Sequence, residues 1–550
     1  MNLEVHLPVA ELELQRELVQ ALCNPACDPD AADRIAVIET HISFVVLTGE
    51  FAYKIKKSVD LGFLDFSTRE QRRFFCEEEL RLNRRLAPDL YLGVVAIRGT
   101  PARPTIGGPG EAIEYAVKMR RFPQAALLDA VVRRRELLPE QIDALARTVA
   151  AFHARAGRAG ARQEFGSPAA IRAPVAQNFS QLRTLFGADE DRAALDRIEG
   201  WTEEACRRLD ASFAARLQSG FVRECHGDLH LGNIVLLDGE PRVFDCIEFN
   251  PNLRWTDVIS DVAFLVMDLA EHGRVDYARR FLDRYLELSG DHAGLQVLDF
   301  YLVYRAMVRA KITRMRAAQH LLPARDRDAA LAACNAYLAF AQRSIAPRPR
   351  LLAITHGVSG SGKTFVSQAV LEALGAVRVR SDVERKRLHG LAPLAQSGSG
   401  LSAGLYGEEA TRVTYADLLR RTRLIVTLGF PVIVDAVFLK KSQRDAFRTL
   451  AGELGVPFVI LDCTAADRVL RERVASRAAS GDDASEATLA VLDSQLQCGD
   501  ALAADEEAAA IHVDTATGDL QPVFDCIRQR LRDSPRQAFR PADIGVPQLQ

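Results

Sequence analysis

The sequence has no run approaching about 18 uninterrupted apolar residues, the length a helix needs to cross a bilayer, so no membrane span is expected. Its first residues, MNLEVHLPVAELELQ, carry acid where a secretory leader needs a basic lead and an apolar run. Charge of one sign is also missing. Against 70 lysines and arginines stand 73 aspartates and glutamates, a net −3, and neither half holds a long basic stretch. Counterion-driven nucleic-acid binding therefore gets no support from overall charge. Small, multiply charged ligands suit this balance better. The ten cysteines form no CxxC pairs, and Cys23 and Cys27, with three residues between them, are too isolated for a metal site. Scattered thiols of this kind fit a reduced, cytoplasmic protein. There is no short internal repeat.

What is present is enough apolar side chain for more than one core. At 550 residues, with 48% hydrophobic and 26% charged, the chain has an ordinary globular composition and a length that favours roughly two to four domains. The clearest boundary is Pro347-Arg348-Pro349-Arg350, because closely spaced prolines stop helices and favour extended linkers. Residues 33–122 read as β-rich: 42–47 and 51–57 flank Thr48-Gly49-Glu50 as a hairpin, 91–98 and 112–122 flank a Gly/Pro-rich loop at 99–110, and 68–86 is helical. From 123 to 346 the pattern is helical apart from a strand–turn–strand segment at 221–250. Past 350, apolar runs at 351–355, 376–380, 430–434, 457–461 and 509–513 alternate with helical stretches, the signature of a parallel sheet covered by helices. Residues 390–407 read as a mobile Gly/Ser-rich loop, and the tail 532–550 as partly disordered.

The segment from Cys225 reads CHGDLHLGNIVLLDGEPRVFDCIEF. Asp228, Asn233 five residues later and Asp245 twelve after that have the spacing phosphoryl transfer needs: a carboxylate to orient the attacking hydroxyl, and oxygen ligands to hold Mg²⁺ against phosphates. Asp238-Gly239 suits the hairpin turn between. The string resembles the catalytic loop of aminoglycoside phosphotransferase-like kinases, H-G-D-x-H-x-x-N followed by an aspartate, with Leu231 where many members have proline. Leu145-Ala146 through Phe152-His153 and Asp261-Val262-Ala263 resemble two further family elements. The resemblance implies that Lys54 on the 51–57 strand binds phosphate, with Lys56 on the same strand face as fallback. It pairs the lysine with Glu79, which fits the E-x6-L spacing to Leu86, or with the neighbouring Glu78. His153, His226 and Asp261 read as packing and hydrogen-bonding residues. Where the family has a glycine-rich loop, this chain has Glu39-Thr40-His41-Ile42-Ser43.

A second phosphate site follows the 351–355 strand. In Gly357-Val358-Ser359-Gly360-Ser361-Gly362-Lys363-Thr364, glycines let backbone N–H groups curl around phosphates, Lys363 reaches the β- and γ-phosphates, and Thr364 offers its hydroxyl to Mg²⁺. Ser381-Asp382-Val383-Glu384-Arg385 resembles an element of small P-loop kinases such as gluconate kinases, zeta toxins and polynucleotide kinases. That resemblance implies Asp382 as base and Arg385 as the grip on an acidic substrate group, the other reading of Asp382 being a helix N-cap. It also implies Asp435 as an aspartate facing metal or substrate. Arg471, Arg473 and Arg477 read as lid residues over the phosphates or as a solvated charged face, and Asp514-Thr515 as neighbours of the adenine. No D-E pair follows on a hydrophobic strand, which argues against a motor ATPase.

The expected architecture is an α+β, protein-kinase-like, two-lobe domain over 1–346 followed, after the 347–350 linker, by an α/β P-loop domain over 351–531, the two cores being independent. The expected function is a bifunctional ATP- and Mg²⁺-dependent kinase acting on hydroxyls of small molecules. An ATP-binding regulator, in which the P-loop half gates the other, and a nucleic-acid-end kinase are the competing readings.

Overall fold

The computed structural model describes residues 9–23, 35–62, 64–160, 164–186, 189–319, 322–397, 404–480 and 484–533. The expectations for the tail beyond 533, for Cys27 and for the centre of the 390–407 loop fall outside these residues.

Six antiparallel strands, β1 (Ala36–Glu39), β2 (Ser43–Thr48), β3 (Phe51–Lys56), β4 (Tyr91–Thr100), β5 (Arg103–Ile106) and β6 (Ala112–Arg120), form one sheet in the order β1-β2-β3-β6-β4-β5. Alternating side chains split them between two cores. Phe44, Val46, Tyr53 and Ile55 pack under Leu18, Val19 and Leu22 of the helix Val9–Leu22, while Ala52, Val117 and Met119 face Cys76 of the helix Arg69–Asn83. That second helix starts at Thr68, whose capping box with Gln71 satisfies two orphan donors. The β2–β3 hairpin turns at Gly49-Glu50, since Thr48 pairs with Phe51. The 99–110 stretch is not wholly loop: β5 folds back on β4, with Thr100 opposite Arg103 and Ile97 opposite Ile106.

Among the described residues from 123 to 346, helices are interrupted by short strands β7 (Val222–Glu224), β8 (Ile234–Leu237), β9 (Glu240–Val243) and β10 (Trp255–Asp257). β8 and β9 pair antiparallel around Asp238 (φ 52°) and Gly239 (φ 79°), the doubly positive turn that matches strand twist. Each of the five apolar runs past 350 is a strand: β11 (Leu352–His356), β12 (Val377–Arg380), β13 (Val432–Asp435), β14 (Phe458–Thr464) and β15 (Ala510–Asp514). All pairings are parallel, in the order β12-β13-β11-β14-β15. The central strands β11 and β13 are buried on both faces, which is why they read as nearly continuous apolar runs, while β15 exposes His512 and Asp514.

The compact units do not divide at the proline-rich segment. One comprises 1–185 with 206–268, and the other comprises 186–205 with 269–550. Within the second, Arg348 of the segment read as a linker is pinned: its guanidinium bonds Asp299 and lies 4.5 Å over the Phe430 ring. The proline-rich segment separates two sequence patterns, but helices before it belong to the same compact body as the parallel sheet. Among the described residues, no helix is long and apolar enough to cross a membrane.

Candidate active sites

β3 presents Lys54 and Lys56 on one face, as its period of two requires. Both reach Glu79: Lys54 Nζ lies 2.8 Å from Oε1 and Lys56 Nζ 2.8 Å from Oε2. There the two diverge. Lys54, partly open, also donates to Asp245 Oδ1 at 2.5 Å, while Lys56 is fully buried and pairs with Glu248. Glu78 instead takes Arg81 and Arg254, at 2.7 and 2.8 Å. Burial works against the Lys54 ammonium, yet Asp245, Glu79 and Glu248 together outweigh it and hold its pKa well above the ordinary value. Burial also opposes the charged form of Glu79, but the two lysines hold its carboxyl below the usual range. At Glu248 burial prevails and pushes the carboxyl up.

Asp245 stands two residues past β9 at φ 63°, a conformation that costs a residue with a Cβ and persists only where its surroundings enforce it. They do so here. The Asp245 N–H donates to Tyr91 Oη at 3.2 Å, and the Cys246 N–H to Asn83 Oδ1 at 2.8 Å. The Cys225 loop is fixed from beneath by Asp261, whose two carboxylate oxygens accept the N–H groups of His226 (2.7 Å) and Gly227 (2.9 Å). His153 Nε2 lies 3.4 Å from the same carboxylate. The His226 Nδ1 accepts the Asp228 N–H at 3.2 Å, so its Nε2 carries the proton and donates to the Phe244 carbonyl at 2.9 Å. Burial holds its pKa low, so it is a neutral packing group. Asn233 Nδ2 then donates at 3.0 Å to the Asp228 carboxylate, and His230 Nε2 lies 3.3 Å from it. The Asp228 and Asp245 carboxylates are 36% and 39% exposed, open enough to meet a ligand. The side-chain oxygens of Asn233 and Asp245 are donors of the hard type that would suit Mg²⁺. In place of a glycine-rich loop, β1 and β2 turn tightly: Ser43 N–H bonds Thr40 Oγ1, and Lys57 Nζ reaches Glu39 Oε1 at 2.7 Å.

In the second site, β11 runs through Gly357-Gly362 into the helix Lys363–Leu374. Gly357 (φ 134°) and Gly360 (φ 83°) tolerate no side chain, because a Cβ would lie 2.4 Å from the Cys463 carbonyl oxygen and 2.7 Å from that of Leu470. Lys363 Nζ donates to the Val358 carbonyl at 2.7 Å, and burial keeps its pKa below the ordinary value. The Ser359 N–H donates to Gln495 Oε1 at 2.7 Å. Ser361 is buried, and its carbonyl accepts from Thr515 Oγ1 at 3.0 Å. Arg473 bonds that same Thr515 Oγ1 at 2.8 Å and the Gly360 carbonyl at 3.3 Å, so both buttress the loop. Asp514 is exposed and accepts the Ala516 N–H. Of the three arginines, Arg471 is held away by Asp467 and Asp493, whereas Arg477 is close enough to act on Lys363 electrostatically.

Thr364 lies in the first turn of the phosphate-loop helix, and Ser367, one turn on, donates to Asp435 Oδ2 at 3.0 Å. Asp435 is buried at the end of β13. Asp382 is in the first turn of the helix Ser381–Leu388, whose N-cap is Arg380, so it does not cap that helix. Arg385, on the same face, donates to the Leu405 carbonyl at 2.7 Å and sits 5.2 Å over the Tyr406 ring. Glu248, Ser367 and Gln495 were not legible beforehand. A second lysine on the buried face of β3 demanded an acid, and Ser367 repeats Thr364 at helical spacing, but Gln495 had no local signal.

Residues 70–301 match the phosphotransferase enzyme family, and residues 352–502 match the AAA domain. The chain is 34% identical over 458 residues, 83% of its length, to the uncharacterized protein Rv2004c of Mycobacterium tuberculosis, of which the match covers 89%. Among solved structures, the amicoumacin kinase hAmiN shares 15% identity at a TM-score of 0.38, over 61% of this chain and 95% of its own. A gluconokinase from Sinorhizobium meliloti 1021 shares 27% identity at a TM-score of 0.23, over 34% of this chain and 91% of its own. The phosphotransferase match spans Asp228 and Asp245 and the AAA match spans the phosphate loop; this chain is a kinase and belongs to one family with the mycobacterial protein.

Proposed function

We propose that the chain carries two ATP-dependent phosphotransfer sites, each passing the γ-phosphoryl group to a hydroxyl of a small molecule. The observation that carries the first is the junction of Lys54 with both Glu79 and Asp245, beside an Asp228 held by Asn233. In this reading Lys54 neutralises phosphate charge and Asn233 and Asp245 hold Mg²⁺, which spreads the charge that develops on the transferring group. Asp228 takes the acceptor's proton as its oxygen attacks phosphorus and ADP leaves. In the second site the loop N–H groups and Lys363 bind phosphates, Thr364 and Asp435 face Mg²⁺, Asp382 is the base, and Arg385 grips the acceptor. Nine free cysteines among the described residues fit a reducing, cytoplasmic setting.

The test is a screen of metabolites and sugars for acceptor-dependent ADP release, run on the full chain and on its Asp228→Asn and Asp382→Ala variants. An acceptor lost with one variant and kept with the other belongs to that site. If no acceptor stimulates ADP release, the transfer reading falls and an ATP-binding regulator takes its place.

A further inference from the structure

β12 is an edge strand of the parallel sheet, with β13 as its one neighbour. Edge strands expose unpaired backbone groups. The helix Val275–Ser289 covers one of them: Asp283 Oδ1 accepts the Arg378 N–H at 2.8 Å, and Oδ2 takes Arg378 Nη2 at 3.1 Å. One turn on, Glu287 Oε2 lies 3.8 Å from Arg380 Nη1. The same two arginines face the phosphate-loop site on their other sides. Arg378 Nη1 is 3.5 Å from Ser367 Oγ, and Arg380 Nε is 4.0 Å from Asp435 Oδ2. The Arg380 guanidinium thus stands between two carboxylates, 4.0 Å from Asp435 and 3.8 Å from Glu287, the latter on a helix inside the phosphotransferase-family stretch.

We propose that Glu287, supported by Asp283, is a positioning residue of the phosphate-loop site: it keeps the Arg380 guanidinium from closing on Asp435, so that this carboxylate, which among the described residues accepts only the Ser367 hydroxyl at Oδ2, can meet a divalent cation. A guanidinium and a carboxylate that close to bidentate contact occupy each other's donors and acceptors, so an Arg380–Asp435 pair excludes the cation. Glu287 suits the task. Burial opposes its charge, but Arg380, Arg378 and Arg284 outweigh burial, so it stays ionised. Asp283, four residues before Glu287 on the same helix face, holds Arg378 at both its backbone and its guanidinium, while burial pushes its own carboxyl up to about 6. The device makes the phosphate-loop site answer to the seating of a helix that lies outside the AAA match. The inference rests on the reading of Asp435 as a metal-facing residue.

The experiment uses the full chain with Lys54→Ala and Asp245→Asn, which silence the first site, and a fluorescent ATP analogue titrated with and without Mg²⁺. In that background Mg²⁺ is expected to tighten binding. Glu287→Gln is expected to lose about tenfold of that Mg²⁺-dependent gain, with the loss confined to it, a coupling of ordinary size. Adding Arg380→Gln removes the competing cation and restores the gain, whereas a merely structural defect would deepen. Arg380→Gln alone keeps or increases the Mg²⁺ dependence. Equal losses with and without Mg²⁺ in Glu287→Gln, or a double variant no better than the single, would overturn the proposal. A control background that gains nothing from Mg²⁺ instead overturns the metal-facing reading of Asp435, and this inference with it.

Discussion

Lys54 and Lys56 share Glu79, yet replacing each with methionine should damage different properties. The Lys56, Glu79 and Glu248 side chains are 0%, 0% and 4% exposed, so Lys56→Met removes one member of a buried cluster. Glu79 keeps Lys54; the loss falls on Glu248. Breaking a buried pair from one side costs about 3–5 kcal/mol. Without its cation, Glu248 is buried only as the neutral acid, whereas the unfolded glutamate has released its proton above about pH 4.3. A carboxyl whose folded pKa is raised contributes stability at low pH and loses it as pH rises, at up to about 1.4 kcal/mol per unit. The deficit of Lys56→Met should therefore grow by roughly 2–3 kcal/mol between pH 6 and pH 8. Hydrogen-exchange mass spectrometry of peptides over β2 and β3 reads this local opening, and the protection factors at neutral pH should fall by about 10²–10⁴. Lys54→Met should leave them near wild type and weaken nucleotide binding, because its outer partner Asp245 faces solvent. A pH-independent deficit in Lys56→Met, or equal opening of the sheet in both variants, would refute the argument.

Asp228→Asn should keep Mg-ATP affinity and lose about 10²–10⁴ in turnover, whereas Asp245→Asn should weaken Mg-dependent nucleotide binding; parallel kinetics and calorimetry tell them apart. In the second site, Lys363→Ala should abolish nucleotide binding. Asp382→Ala should bind within a few-fold of wild type and turn over about a hundredfold more slowly, by the same two measurements. Arg444 and Glu506 are both fully buried, joined by two 2.8 Å bonds, so Arg444→Met should cost about 3–5 kcal/mol in thermal or denaturant unfolding. Arg444→Met with Glu506→Met should recover much of it.

What was legible ahead of the structure shares one property: each signal sits within a short stretch of chain. Asp228, Asn233 and Asp245 lie within eighteen residues, so the hairpin at Asp238-Gly239 alone brings them together. The phosphate loop is eight consecutive residues, and each of the five parallel strands lies within one short stretch rich in apolar residues. Sequence does not separate Lys54 from Lys56. Both share a face, and only the third dimension shows one ending on Asp245 and the other on Glu248. The 99–110 stretch misled because β5 is four residues long and contains a proline, which edge strands tolerate and sequence patterns do not mark.

The proline-rich segment is the instructive case, because it separates two sequence patterns while the compact units divide elsewhere. Prolines at 347 and 349 do end the helix Ala324–Ser344. Where a compact unit ends, however, depends on which surfaces are buried against each other, not on where a helix stops. Asp283 meets the Arg378 backbone across 95 residues, and Arg348 meets Asp299 across 49. An aspartate in an amphipathic helix and an arginine on an edge strand are both ordinary surface residues in sequence. Their partnership is set by the register of a helix against a strand edge, and no window of either segment contains it. Each candidate site is marked by a motif local to its own stretch of chain, whereas the contacts of the helix Val275–Ser289 with Arg378 and Arg380 are set only by packing.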